Sequence, residues 1–279
     1  MANPIGLNGT HSRQERYADM IVQLFRKELV VRNEFSRDYE GDPVAGAVQV
    51  PVRNLDVEIG DYNVATGGAL TQSATTFTPI LITKNRYVNE IIDGYEAAAV
   101  PDNIVAQRLE SAAYVIGTEL EKNAINELVD NGTASENTDE ITKANAYTSI
   151  KDDIIKLKSQ GVSINDIIVV VGANTESMLL EDTIFANSAG ALGSELIRNG
   201  VIGRIVGANV KSSYNLPDDV DYIVFARPWA QAIDEWRVDP TIENLTNEFI
   251  GASALKGRFI YEDKLTNPLA CIVKTTEEI

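Results

Sequence analysis

Gly200–Pro217, GVIGRIVGANVKSSYNLP, is the stretch whose reading decides the fold. Apolar Val201, Ile205 and Val210 punctuate it, glycine recurs at 200, 203 and 207, and Pro217 ends the run. Glycine inside a strand pattern marks a bulge or a close backbone approach, and a terminal proline suits a strand end. The competing reading is a phosphate cradle. That needs G-x-G-x-x-G leading into a helix N-terminus, where free N–H groups meet the anion. Here the spacing is G-x-x-G-x-x-x-G and the residues that follow are β-like. A bent strand within a packed α/β region is expected, with Gly200, Gly203 and Gly207 serving shape, not chemistry.

The flanks carry the same α/β rhythm. Upstream, Ile150, Ile154 and Leu157 mark a helix closed by Gly161, and Ile167–Val171 is a continuous apolar run, the sign of a strand buried on both faces. Asn174, Thr175 and Ser177 can cap a short helix to Leu180, and the small-residue loop ANSAGALGS precedes another near Glu195–Asn199. Downstream, Asp221–Ala226 reads as a second buried strand, followed by Pro228–Ala232 and the strand-like IDEWRV. Thr241–Ile250, Leu255–Glu262 and Leu269–Thr275 are expected as longer strands joined through Gly251 and Asn267-Pro268.

Toward the N-terminus the texture changes twice. Residues 1–10 read as an extended arm, and from Ser12 to Val31 the positions Tyr17, Met20, Ile21, Leu24 and Phe25 recur at helical spacing. Ser12 with Glu15 offers a capping box. Its apolar face needs a cover, either the chain's own body or a neighbouring subunit. Gly41–Thr83 contains no lysine, and β-branched residues alternate with polar ones on both sides of the turns at Gly60-Asp61 and Gly67-Gly68. This is a two-stranded excursion. Because an isolated hairpin is marginal in water, it must fold back on its domain or lie across another molecule. Lys84–Gly94 then leads to Pro101 and the strongest helical pattern in the chain, with Ile104, Val105, Leu109, Ala112, Ala113, Ile116, Leu120, Ala124 and Leu128 on one face and Asn131-Gly132 at its end. At helical rise, roughly 29 residues span about 43 Å. The polar stretch 133–144 is expected to be a mobile loop.

Composition excludes several function classes. The 279 residues are 44% apolar and 23% charged, which is globular, and the net charge is −17. Within residues 1–40, six basic and six acidic groups cancel, so the body carries all the negative charge. Nucleic-acid binding needs clustered Lys and Arg, so direct recognition is disfavoured, although enclosing DNA is not. No apolar run approaches a membrane span and no secretory signal is readable. Cys271 is the sole cysteine, in the strand-like LACIVK, where a buried inert thiol is expected. His11 is the sole histidine, so a triad would have to combine it with Cys271 or a distant serine, for which no local signature exists, and zinc lacks its ligands. The acid groups Asp152-Asp153, Asp218-Asp219-Asp221 and Glu277-Glu278 lack calcium-loop spacing and read as solvated faces or loop acids. Trp229 and Trp236 are expected as core or interface anchors. No catalytic residue, cofactor site or metal site is expected.

The order of these parts is amphipathic arm, lysine-free ribbon, long helix, inserted α/β domain and returning strands. It resembles the major capsid proteins of tailed phages, the Hong Kong 97 fold. NVATGGALTQSATTFTPI (Asn63–Ile80) is similar to the segment closing that family's extended loop. VNEIIDG (Val88–Gly94) resembles the link before its spine helix, and Gly200–Pro217 its axial-domain G-x-x-G-x-x-x-G segment. The resemblance implies an α+β architecture with an N-terminal arm (1–40), an extended β loop (41–83), a peripheral domain carrying the spine helix (84–143 with 236–279) and an α/β axial domain (144–235). It also implies self-assembly into hexamers and pentamers of an icosahedral shell around double-stranded DNA, formed in the host bacterial cytoplasm, with a portal and a separate scaffolding protein as partners. Tyr17, Leu24, Phe25, Arg53, Glu58, Asp61 and Phe77 become subunit-interface candidates.

Two departures from the family matter. Gly67 stands where many relatives carry an acid. Some relatives weld their shell through a lysine in the extended loop, and Gly41–Thr83 has none, so the shell should be non-covalent there. The long coiled scaffolding segment of some relatives is also missing, and Met1 favours a separate scaffold over a removed one. An encapsulin-type nanocompartment shares the expected fold and is the close alternative. A cytosolic α/β enzyme binding a small anion at Gly200–Gly207 is the alternative from another class.

Overall fold

The computed structural model describes residues 27–38, 47–53, 62, 64, 67–68, 75–93, 104–182, 201–245 and 250–276. In chain order the elements are strands β1 (Ala47–Arg53), β2 (Thr75–Leu81) and β3 (Lys84–Ile92), helix α1 (Ile104–Asn131), strand β4 (Thr133–Ala134), helix α2 (Ala146–Ser159), strand β5 (Ile167–Val171), helix α3 (Ala173–Glu181), and strands β6 (Val201–Ile205), β7 (Ala208–Ser212), β8 (Val220–Ala226), β9 (Ala230–Asn244), β10 (Ser253–Leu265) and β11 (Cys271–Thr275). They form two compact units. One holds Tyr87–Val115 and Asp239–Gly257, the other Lys27–Arg86, Ile116–Val238 and Arg258–Ile279.

The second unit is built on a six-stranded mixed sheet of order β4-β11-β8-β5-β7-β6. Strand β5 is fully buried and pairs antiparallel with β8 and parallel with β7. Its five apolar side chains alternate between two cores, as the period of two requires. Ile167, Val169 and Val171 pack with Ile150, Ile154 and Leu157 of α2 and Leu179 of α3. Ile168 and Val170 pack on the other face with Ala124, Ile125 and Leu128 of α1, together with Val31 and Phe35. Each fully buried aliphatic side chain contributes about 1.5–3 kcal/mol, so this double-sided sheet carries the unit. Cys271 lies fully buried in the second core, where burial pushes its thiol pKa up. Trp229 packs partly buried against both cores, in keeping with an anchoring role.

The remaining strands form a three-stranded sheet of order β3-β10-β9 and a separate two-stranded ribbon of β1 and β2. In the first unit, Val88 and Ile92 of β3, Leu109 and Ala112 of α1, and Leu255 of β10 make a small core. Helix α1 has 28 residues, about 42 Å of rise, close to the length read from its apolar stripe. It stops at Gly132, where a Cβ would come within 2.5 Å of the Leu128 carbonyl oxygen.

Several expectations are corrected. Gly200–Pro217 is not one bent strand: β6 and β7 form an antiparallel hairpin around Val206-Gly207. Those two residues have φ of 53° and 97°, and positive φ at both central positions is the turn geometry that matches strand twist. The expected bulge is present as a register shift between Val201 and Gly203. The stretch 133–144 is not a free loop. Thr133 and Ala134 add strand β4 parallel to β11, the Ser135 hydroxyl donates to Asp153 at 2.8 Å, and the Asn137 amide donates to Ser149. Polar side chains that looked solvated in sequence are spent on local hydrogen bonds. Helix α3 is capped by Gly172, and Asn174 and Thr175 sit inside it. Strand-like IDEWRV and the start of Thr241–Ile250 are one strand, β9, ending at Asn244. Among described residues the arm's helical period does not reach Val31: residues 27–31 are non-helical, and a single 3-10 turn covers Arg32–Glu34. The short helix at Glu195–Asn199, its preceding loop and the Trp236 side chain lie outside the described residues.

Candidate functional site: a shared anchor on one strand

Two described segments of the second unit are held from one strand: residues 27–38, and Ile82–Lys84, where the β1–β2 ribbon ends. Adjacent residues of β10, Glu262 and Asp263, hold both roots. Side chains alternate along a strand, so neighbours point to opposite faces. Phe259, Tyr261, Asp263 and Leu265 are the buried set of one parity.

Asp263 is fully buried and accepts from Arg32 Nε at 2.8 Å and from Asn123 Nδ2 at 2.7 Å. The other edge of the Arg32 guanidinium donates to Asp234 Oδ1 at 2.6 Å, and the group lies 5.7 Å from the Tyr261 ring centroid. Burial pulls the Arg32 pKa down, but Asp263 and Asp234 outweigh it and hold the group above its ordinary value. Desolvation alone would eject such a cation, and the two carboxylates are what keep it inside.

Glu121 of α1 fixes the backbone of the same segment. Its Oε1 accepts from the N–H of Val30 at 2.8 Å and of Val31 at 2.7 Å, and its Oε2 accepts from the N–H of Arg32 at 3.0 Å. Three converging amides satisfy a carboxylate that is only 1% exposed. Two residues on, Glu34 accepts from Lys211 Nζ at 2.6 Å and from the Arg227 guanidinium. Burial raises the Glu34 pKa, but Lys211 and Arg227 outweigh it and hold the carboxyl below the usual glutamate value. Ser36 then exchanges backbone bonds with β9, donating to the Ala230 carbonyl at 2.8 Å and accepting from the Ala232 N–H at 2.9 Å.

On the other face of β10, Glu262 Oε2 accepts from the Thr83 hydroxyl at 2.8 Å and its N–H at 3.2 Å, while Oε1 accepts from Lys84 Nζ at 2.8 Å. Ile80, Val48 and Ile82 pack on Ile233 beside it. The ribbon's root is therefore fixed by one carboxylate and a small apolar contact.

The sequence-derived candidates fall elsewhere. Tyr17, Leu24, Phe25, Glu58, Asp61 and Gly200 lie outside the described residues. Arg53 pairs with Thr75 at one end of the ribbon ladder, and Phe77 pairs with Pro51. Gly203 is buried in β6 and Gly207 forms the hairpin turn. Arg32, Glu34, Glu121, Asp234, Glu262 and Asp263 were missed. One signal was available: Asp263 interrupts an alternating apolar run, and an acid at an inward position requires a buried partner.

Nothing in the described geometry favours anion chemistry. A cleft of about 150 Å³ opens beyond the ends of β5 and β7, lined by Gly172, Asn174, Thr175, Ser213, Asp218 and Asp221 among others. Its ionisable acids have the wrong sign for an anion, and Gly207 is not part of it. Among the described residues, no group of three or more His, Cys, Asp or Glu side chains could hold a metal, and no helix is long and apolar enough to cross a membrane.

The fold is similar to that of solved structures from phages. The chain is similar to a structure from Mycobacterium phage Che8, at 21% identity and TM-score 0.76, covering 95% of this chain and 97% of that one. It is similar to the capsid of cyanophage P-SCSP1u at 10% identity and TM-score 0.76, covering 98% and 97%. The mature capsid of bacteriophage PhiM1 matches at 12% identity and TM-score 0.70, covering 98% and 95%. No protein-family model matches the sequence, and no curated protein matches it. The α+β capsid fold that the motifs implied is the fold of this chain.

Proposed function

We propose that this chain is the major capsid protein of a tailed phage or prophage and assembles into a closed icosahedral shell. The observation that carries this reading is the fold match over nearly the full length of both chains, 95% and 97% with the Che8 structure. Hexamers and pentamers of the chain would surround double-stranded DNA, with residues 144–235 as the axial domain at their centres. Residues 84–143 with 236–279 would form the peripheral domain. Residues 41–83 would lie over a neighbour as the extended loop, and the arm, residues 1–40, would reach another. Tyr17, Leu24, Phe25, Arg53, Glu58, Asp61 and Phe77 would contact neighbouring copies. A wall with this net charge of −17 would enclose DNA without binding it through counterion release. A portal and a separate scaffolding protein would be its partners, assembly would take place in the bacterial cytoplasm, and the protein would act without catalysis. The encapsulin-type alternative is not favoured, since the similar structures named above come from phages.

Electron microscopy and sedimentation of the purified protein test this. Closed particles of uniform size are expected, and a stable monomer at every concentration would overturn the reading. Because no lysine lies in residues 41–83, boiling in denaturant should release a single-chain band; a ladder of multimers would contradict non-covalent assembly there.

A further inference from the structure

The β1–β2 ribbon carries a proline in each strand, and the register fixes what those prolines do. Pro51 pairs with Phe77, and Gln49 pairs with Pro79, two steps along the same ladder. In an antiparallel ladder, pairs that exchange N–H···O bonds alternate with pairs that do not. Positions two steps apart therefore belong to the same class. A proline has no N–H to exchange, so this class is the non-hydrogen-bonded one. Its backbone groups point away from the partner strand, out of the ribbon's free edges. Pro51 thus removes an outward donor from the β1 edge and Pro79 removes one from the β2 edge. Neither sits at a strand end: Ala47, Gln49 and Arg53 flank the first, and Thr75, Phe77 and Leu81 flank the second.

An exposed strand edge is a template for strand addition, and a mid-edge proline blunts it through the missing bond and the bulk of its ring. A two-stranded ribbon has two such edges, and here each carries one mid-strand proline. Meanwhile apolar side chains remain uncovered: Tyr62 and Val64, in the connection between the strands, are 75% and 92% exposed, and Leu81 is 62% exposed.

We infer that the ribbon docks on a second copy of this chain through side-chain burial alone, with strand addition excluded at both edges. The inference rests on the shell reading, in which many identical ribbons are held close together. There, open edges would pair with one another in the wrong register before the apolar residues found their seats. A tyrosine with an apolar body and a polar tip suits the anchoring place in such a contact.

Residue-resolved hydrogen exchange on the full chain, assembled and unassembled, tests it. The outward amides of Gln49, Arg53, Thr75 and Phe77 are expected to exchange at similar rates in both states; slowing by more than about tenfold in the particle would mean a strand has paired there and would overturn the inference. Pro51→Val with Pro79→Val restores both donors without adding charge. That variant should lose particles to sheet-rich aggregates, whereas an unchanged particle yield would show that the prolines guard nothing. Tyr62→Ala should lower particle yield while the unassembled chain keeps its denaturation midpoint, and an unaffected yield would count against burial as the source of the contact. If the unaltered protein forms no particles, the shell reading itself falls; slowed edge amides in particles that do form overturn only the docking mode.

Discussion

Strand β5 lies within the six-stranded sheet and the segment 30–36 packs into the core on one of its faces, yet the two are held by opposite means. Val170 of β5 and Val31 belong to a single core, and both are fully buried. Strand β5 has ladder partners on both sides, so its backbone is satisfied by repetition. The segment 30–36 has one 3-10 turn and a bridge at Ser36, while the Val30–Arg32 amides and the Arg32 and Glu34 side chains are met one by one by Glu121, Asp263, Asp234, Lys211 and Arg227. Apolar burial is non-directional and degrades gradually when a side chain is trimmed. A buried charge lattice is directional, and removing one member strands another. The body of the unit is thus built from forgiving contacts, and the root of its arm from unforgiving ones.

The largest test strikes the lattice. Asp263→Ala leaves the Arg32 guanidinium buried with Asp234 alone, and should lower unfolding stability by about 3–5 kcal/mol in urea titration. Adding Arg32→Met to that background should recover much of the loss, because the stranded charge is then gone. A loss below about 1 kcal/mol for the single variant would mean that the lattice is no more demanding than ordinary packing. Gly207→Val comes next. A β-branched residue at φ 97°, with its Cβ 3.3 Å from Ile164, should cost about 1–3 kcal/mol and reduce particle yield. Particles that form normally with valine at both 203 and 207 would refute the structural role given to those glycines. Ile154→Val, by contrast, trims one methyl group from a fully buried position and should cost only about 0.5–1.5 kcal/mol.

What the sequence made legible follows the same division. The apolar runs at Ile167–Val171 and Asp221–Ala226 and the periodic stripe of α1 announce themselves, because burial is written in the residues that are buried. The hairpin at Val206-Gly207 was harder to see. Its turn places valine, a poor residue for positive φ, at the first central position, so the usual Asn-Gly or Gly-rich signature is missing. The anchor was hidden for a different reason. Arg32 and Asp263 stand 231 residues apart, and each alone reads as a solvated charge. Only the alternation around Asp263 gave a hint, and it could not name the partner. The polar stretch after α1 misled in the same way: Ser135 and Asn137 look like loop residues until Asp153 and Ser149 are seen opposite them.

The smallest expected effects separate two buried carboxylates by sign. The folded-state pKa of Glu34 lies below the usual glutamate value, because Lys211 and Arg227 outweigh its burial. The unfolded chain then binds the extra proton, so the contribution of Glu34 is present at neutral pH and is lost as pH falls through its folded pKa. Asp153 is the reverse. Burial raises its pKa above the usual aspartate value, and the bonds from Ser135 and Tyr222, with Lys156 nearby, only partly offset this, while Asp152 adds to the rise. Here the native state binds the extra proton, so stability falls as pH rises from the usual aspartate value through the folded one. Both hydrogen bonds to Asp153 land on the same oxygen, at 2.8 Å each, so an asparagine carbonyl can accept both without carrying a charge. Asp153→Asn should therefore be at least as stable as the parent at neutral pH and should lose that falling limb. Glu34→Gln should be less stable at neutral pH and flatter toward acid. Urea midpoints for both variants at neutral and mildly acidic pH decide the matter: if the two shift in the same direction at neutral pH, the contrast between a carboxylate held by cations and one held by neutral donors does not govern their titration.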